Sequence, residues 1–129
     1  MEFVVRARLG AFAPNADVFV DEEERRVVAI IEVAGADPDS LSIVFDERSL
    51  LIGGRRRGTA RLRHGSFVQK EIAYGDFVKR IALPVPVEYE RITATYEDGF
   101  LVVVAPLAPL AYLPTARTQL QILVKRTHS

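Results

Sequence analysis

A predicted β-hairpin over residues 92–106 constrains the fold more than any other part of the chain. Up to Glu97, apolar side chains alternate with polar ones, which is typical of a half-buried strand. Asp98-Gly99 follows and favours a type I′ turn, because both central residues of that turn need positive φ. Phe100 to Val104 is then an unbroken apolar run, which favours a strand covered on both faces. Pro106 ends the run, since proline cannot donate to a strand ladder.

Short predicted strands separated by turn residues fill the rest of the central region. They lie at 17–20, 27–33, 41–45, 50–52 and 77–83. In 27–33, Val28 and Ile30 lie opposite the other apolar side chains, so we expect both faces to be covered. Gly53-Gly54 is predicted to end the strand 50–52. No part of 17–106 shows the apolar spacing of an amphipathic helix, so the pattern favours a sandwich or a barrel over a βαβ fold.

Composition narrows the class of protein. The chain has 129 residues, the size of one domain, and no cysteine, which excludes disulfides, thiol catalysis and Cys-ligated metal sites. Its 17 basic and 17 acidic residues cancel, which argues against nucleic-acid binding and permits copies to approach one another. The first residues lack the features of a signal peptide, and no apolar run approaches the roughly 20 residues of a membrane span. We therefore predict a soluble, cytoplasmic protein with no membrane partner.

Three regions are predicted along the chain: an N-terminal arm at 1–16, a β domain at 17–106, and an extension at 107–129. The arm either packs on its own domain or is offered to partners. The extension is apolar and spaced by prolines, so it also needs a surface, which is its own domain or another copy. The apolar residues of the arm are Phe3, Val4, Val5, Leu9 and Phe12.

The side chains that could carry chemistry do not form a recognisable site. His64 and His128 have no metal-ligand spacing, and no Gly-x-Ser-x-Gly elbow is present. Gly53-Gly54 lacks the Gly-Lys-Ser/Thr ending of a phosphate loop. The acidic run 21–24 is expected to be a solvated turn, and the basic segment 55–65 a solvated or interface loop. We therefore expect no enzyme, no cofactor and no metal.

Four motifs occur in order over residues 14–106. They are Pro14 with Asp17-Val18-Phe19; Gly35 with Leu41-Ser42-Ile43 and Leu50-Leu51-Ile52-Gly53-Gly54; Glu71 with Tyr74-Gly75-Asp76-Phe77 and Leu83-Pro84; and Ala94-x-Tyr96-x-Asp98-Gly99-Phe100-Leu101-x-Val103-x-x-Pro106. In order and spacing, these motifs together resemble the small heat-shock proteins, which carry the α-crystallin domain.

The resemblance implies an all-β fold: an immunoglobulin-like antiparallel β-sandwich with a short N-terminal arm and an extended C-terminal tail. It implies a homodimer that often assembles into higher oligomers. It also implies an ATP-independent chaperone of the stress response, a holdase that binds unfolding proteins and prevents their aggregation. The alternative is a co-chaperone-like β-sandwich adaptor for one specific partner. The loop 55–68 and the tail motif argue against that alternative.

The resemblance also implies site residues. The dimer interface would pair two groups from different copies, Asp17, Val18, Phe19 and Val20 with Ser66, Phe67 and Val68. The tail of one subunit would plug a groove of another through Leu120 and Ile122 or, shifted by two, Ile122 and Val124. The groove residues are Leu41, Ile43, Ile92, Ala94 and Tyr96. Clients would bind the groove and the apolar residues of the arm.

Two departures from the family pattern bear on assembly. Lys79 replaces a frequent interface arginine and cannot supply the planar fork of a guanidinium, which puts the corresponding dimer salt bridges in doubt. Gln121 replaces the proline often found at the centre of the tail motif.

Overall fold

The computed structural model describes residues 12–58, 65–109 and 117–125, and most of them lie in strands. The strands are β1 (Ala16–Asp21), β2 (Arg26–Glu32), β3 (Ser42–Asp46), β4 (Ser49–Arg56), β5 (Gly75–Ala82), β6 (Thr93–Glu97), β7 (Phe100–Pro106), β8 (Arg117–Leu120) and β9 (Ile122–Val124). Two 3-10 helices lie at Pro38–Ser40 and Tyr89–Arg91. Within these ranges, no helix has the length and apolar character needed to cross a membrane.

The strands form two sheets that pack face to face. One has the order β1-β2-β7-β6-β9 and the other β5-β4-β3-β8. Neighbouring strands in these sheets run antiparallel except for β6 and β9, which are parallel. The inner faces form one core, with Ile31, Ile43, Ile52, Phe77 and Leu101 completely buried. The predicted all-β sandwich is confirmed.

The β6–β7 hairpin has the predicted turn. Asp98 and Gly99 have φ of 55° and 84°, as a type I′ turn requires. Gly99 also accepts a hydrogen bond from the Val33 N–H (2.8 Å), and a Cβ at Gly99 would lie only 2.9 Å from that of Ala34. The Tyr96 hydroxyl donates to the carbonyl of Val33 (3.0 Å). These contacts fasten the turn to the end of β2.

The prediction that β7 is covered on both faces is wrong for its outer face. Leu101, Val103 and Ala105 point into the core, whereas Val102 and Val104 are half-buried and Phe100 is exposed. An apolar run shows that both faces are apolar, but it does not show that something covers both of them. The outer face of the five-stranded sheet is therefore apolar and open.

The prediction that Gly53-Gly54 ends a strand is also wrong, because β4 continues to Arg56. Gly54 lies opposite Phe77 on β5, and a Cβ at Gly54 would lie 2.3 Å from Cζ of that ring. The glycine therefore leaves room for a buried phenylalanine, which is the other common reason for glycine inside a strand.

The first two residues of the basic segment, Arg55 and Arg56, belong to strand β4 and not to a loop. Arg55 pairs with Asp76 (Nε to Oδ1, 2.9 Å), and Arg57 pairs with Asp37 (Nη2 to Oδ2, 2.7 Å). These arginines are thus occupied by carboxylates of the domain. Residues 59–64 lie outside the described ranges, and 65–74 form no strand.

We expect Gly54→Ala to lower the free energy of unfolding by about 1–3 kcal/mol, because the added methyl group overpacks the ring of Phe77. The measurement is chemical denaturation followed by circular dichroism. Gly58→Ala is the matched control, since its Cβ would meet Tyr74 at an ordinary 3.9 Å. Equal stability of the two variants would contradict the packing role of Gly54.

Candidate functional site

An apolar groove runs along one side of the sandwich between β3 and β6. Leu41 lines it on one side, and Ile92 and Ala94 line it on the other. Ile43 on β3 and Tyr96 on β6 belong to the buried core against which these residues pack. Ile43, Ala94 and Tyr96 are buried, while Leu41 and Ile92 are half-buried and pack against the core. The structure thus places all five of these residues along the same edge of the core.

The tail of the same chain occupies this groove. β8 runs antiparallel to β3, with Leu120 opposite Ile43. β9 runs parallel to β6, with Ile122 opposite Ala94 and Val124 opposite Tyr96. One extended segment therefore adds a strand to each sheet and joins them through a single residue, Gln121. In the single chain the tail therefore docks on its own domain.

Alternation decides which tail side chains enter the groove. Leu120, Ile122 and Val124 pack against the core, whereas Gln121 and Leu123 are exposed. Successive side chains of a strand point to opposite faces, so every second residue can be buried. All three residues of the two suggested plug pairs, Leu120 with Ile122 and Ile122 with Val124, therefore enter the groove at the same time.

Tyr89 is a groove residue that the sequence reasoning missed. It lines the same depression as Ile92, and its ring stacks on Phe45 with centroids 5.5 Å apart and planes inclined by 7°. The available signal was an aromatic side chain between two carboxylates, Glu88 and Glu90. Its 3-10 turn brings the ring back over the core.

The residues assigned to a dimer interface lie apart in the single chain. β1 is the edge strand of its sheet, with Val18, Phe19 and Val20 exposed. Phe67 is 63% exposed and Val68 fully so, in a segment that forms no strand. The chain thus presents a sheet edge and an apolar loop without pairing them with each other.

Phe12 is the one of the five predicted client-binding residues of the arm that lies within the described ranges. Its ring lies 5.6 Å from that of Phe77, and the Arg56 guanidinium lies 5.0 Å from its centroid. Its N–H donates to Asp76 (3.2 Å), and its carbonyl accepts from Val78 (3.0 Å). Phe12 therefore packs on β5 as part of the domain. Phe3, Val4, Val5 and Leu9 lie outside the described residues.

The site contains one perturbed ionisable group. Burial raises the pKa of the Tyr96 hydroxyl above its ordinary value of 10.0, since the phenolate is disfavoured away from water. Within the described residues, no cluster of three or more His, Asp or Glu side chains could hold a metal ion. The groove is thus built for apolar contact and main-chain hydrogen bonding.

Residues 17–119 match the sequence model of the Hsp20/alpha crystallin family. The chain belongs to that family, the small heat-shock proteins. The family is one of chaperones and not of enzymes. The resemblance to the small heat-shock proteins that the four motifs indicate is confirmed.

Related proteins agree with this assignment. Small heat shock protein C4 of Rickettsia felis is 29% identical over 73% of the chain, which spans 56% of that relative's length. The crystal structure of hspA from Xanthomonas axonopodis is 28% identical, with a TM-score of 0.67 over 78% of this chain and 98% of that one. A small heat-shock protein from Xylella fastidiosa is 27% identical, with a TM-score of 0.65 over 81% and 94%.

Docking of the tail can be tested by amide hydrogen exchange. We expect Leu120→Ala with Ile122→Ala to speed exchange of residues 117–124 by about tenfold, because two apolar contacts with the core are lost. The control is Gln121→Ala with Leu123→Ala, whose side chains point away from the groove. Equal protection in both double variants would contradict the observed alternation.

Tyr96→Phe should change both stability and its pH dependence. At neutral pH we expect a loss of about 1 kcal/mol, since the hydroxyl no longer bonds to Val33. The raised pKa means that folding favours the neutral phenol. The contribution of the Tyr96 hydroxyl to the free energy of unfolding is therefore complete below the unfolded-state pKa, and it is lost as pH rises through the folded-state pKa. The difference from wild type should therefore shrink above pH 10.0 in denaturation measurements. A difference in the free energy of unfolding that stays constant as pH rises would contradict this expectation.

Proposed function

We propose that this chain is an ATP-independent holdase that binds unfolding proteins and keeps them from aggregating. The observation that carries the proposal is the occupied groove, in which an extended segment with alternating apolar residues pairs with strands of both sheets. Main-chain pairing tolerates many sequences, while pockets for alternate side chains select apolar ones. An unfolding polypeptide offers the same two features. Because binding to an exposed apolar surface needs no bond cleavage, nucleotide hydrolysis is not required.

Self-association is the second part of the proposal. The segment Ser66-Phe67-Val68 of one copy would add to the β1 edge of another, at Asp17-Val18-Phe19-Val20. Support comes from the exposure of both groups and from the position of β1 at a sheet edge, which readily accepts a further strand. The structure of the Xylella fastidiosa relative is described as a distinct high order structure. We propose that this chain also forms a homodimer and higher oligomers.

The tail would then have two alternative sites. Docked in its own groove, it covers Ile43 and Ala94; docked in a neighbour's groove, it links two copies with the same pairing. The apolar arm residues would add client-binding surface, although Phe12 packs on Phe77 in the single chain. Release of either segment would expose apolar surface for a client.

Suppression of aggregation tests the holdase proposal. We expect an equimolar amount of the chain to reduce the light scattering of a heat-labile client, without nucleotide, because client apolar surface is covered before it can self-associate. A monomeric immunoglobulin domain at the same concentration is the control. Scattering equal to that of the control would reject the holdase.

The size of the assembly tests the linking role of the tail. We expect Leu120→Ala with Ile122→Ala to elute as smaller species in gel filtration, because a neighbour's groove loses its apolar occupant. Gln121→Ala with Leu123→Ala should elute like wild type. An unchanged profile in both would confine the tail to its own groove, and a monomeric wild type at micromolar concentration would favour the adaptor alternative.

A further inference from the structure

The outer face of the five-stranded sheet carries an apolar surface that the groove does not use. Strand register places outward residues in four rows across the sheet. One row, at the end of the sheet, holds the Asp21–Arg26 ion pair and Pro106. The other three rows form the surface that we call the outer face. The rows are Asp17, Ile30, Val102, Thr95 and Leu123; Phe19, Val28, Val104 and Thr93; and Glu32, Phe100 and Glu97.

The outer face is open to water where its largest side chains lie. Phe100 is 45% exposed, Phe19 48% and Leu123 61%, while Ile30, Val102 and Val104 are half-buried between them. Contiguous exposed apolar surface of this kind marks interaction sites on soluble proteins. An open depression of about 760 Å³ lies at its centre, lined by Phe100, Val102, Ile30 and Thr95 among others.

Carboxylates surround this depression. Glu32 and Glu97 lie directly beside Phe100 on the neighbouring strands, and Asp17 ends the next row. No cation of the described ranges forms an ion pair with Asp17, Glu32 or Glu97. Lys125 is the one cationic side chain among the residues that line the depression. The outer face therefore combines an apolar centre with an excess of negative charge at its rim.

The size of the outer face limits what can cover it. Five strands about 4.8 Å apart, with three rows of side chains about 7 Å apart, give roughly 400 Å². A stable interface between folded proteins needs about 800 Å² on each partner. The outer face alone therefore offers about half of what a second folded copy would need, whereas a single short segment of chain would be covered along its length.

We propose that the outer face binds apolar segments of unfolding polypeptides that are flanked by Lys or Arg. The apolar centre of such a segment packs on Phe100, Val102 and Ile30. Flanking basic side chains lay their aliphatic stems on the same surface and reach Glu32 and Glu97 with their charged ends. This inference rests on the proposed holdase function and adds to it a second client surface with a charge preference.

The probes are two fluorescent peptides that share a Leu/Val/Phe centre and differ in their flanks, lysines in one and glutamates in the other. Binding to the full chain is measured by anisotropy at low and high salt. Wild type should prefer the lysine peptide, and the preference should fall with salt because exposed charges are screened. Phe100→Thr with Val102→Thr should weaken that binding by roughly tenfold or more, since apolar contact is lost.

Two further variants sharpen the test. Glu32→Lys with Glu97→Lys should reverse the preference in favour of the glutamate peptide. Val78→Thr is the matched control, because Val78 is half-buried on the outward side of β5 in the other sheet. Circular dichroism and thermal unfolding check that each variant folds. Because the chain has no cysteine, Thr95→Cys also provides a single thiol for a photo-crosslinker on the outer face.

The outcomes separate this inference from the proposed function. Wild-type suppression of aggregation together with unchanged peptide binding in the Phe100 and Glu32 variants would overturn the inference and leave the holdase standing. Peptide binding that depends on the outer face without any suppression of aggregation would overturn the holdase alone. Loss of self-association in Phe100→Thr with Val102→Thr, with no loss of peptide binding, would identify a second copy as the occupant and reject the proposal.

Discussion

The inner faces of the two sheets pack on each other, and the rest of the structure depends on keeping water out of that layer. Ile31, Ile43 and Leu101 are completely buried there. A sandwich has two sides at which the sheets part, and both are covered by segments outside the central hairpins. Phe12 packs on β5 at one side, and the tail fills the groove between β3 and β6 at the other. Short segments near the two ends of the described chain therefore cover the apolar interior at both sides.

The sequence predicted best where structure depends on neighbouring residues. Asp98-Gly99 determines its turn through its own backbone preferences, and the alternation before it determines which side chains face inward. The two errors arose where distant contacts decide. Gly54 continues its strand because Phe77 lies across from it, and the outer side of β7 is open although its composition is that of a covered face. A local sequence pattern shows neither the contact between Gly54 and Phe77 nor the lack of a covering element on β7.

The candidate site shows the same division. The groove residues and the tail residues could be identified separately, because both alternate and because the family resemblance relates them. Their meeting within one chain could not be inferred, since main-chain pairing of β8 with β3 has the same form whether the strands share a chain or not. Tyr89 was missed because a 3-10 turn, and not strand alternation, directs its ring toward Phe45.

The tail strands have a consequence for how copies of the chain can join. β3 and β6 have five residues each, and the tail covers them with strands of four and three residues. Very short edge strands are poor templates for further strand addition. With the tail docked, the six-residue β1 is the longer edge left in its sheet. Strand addition to this sheet is thereby directed to the β1 side.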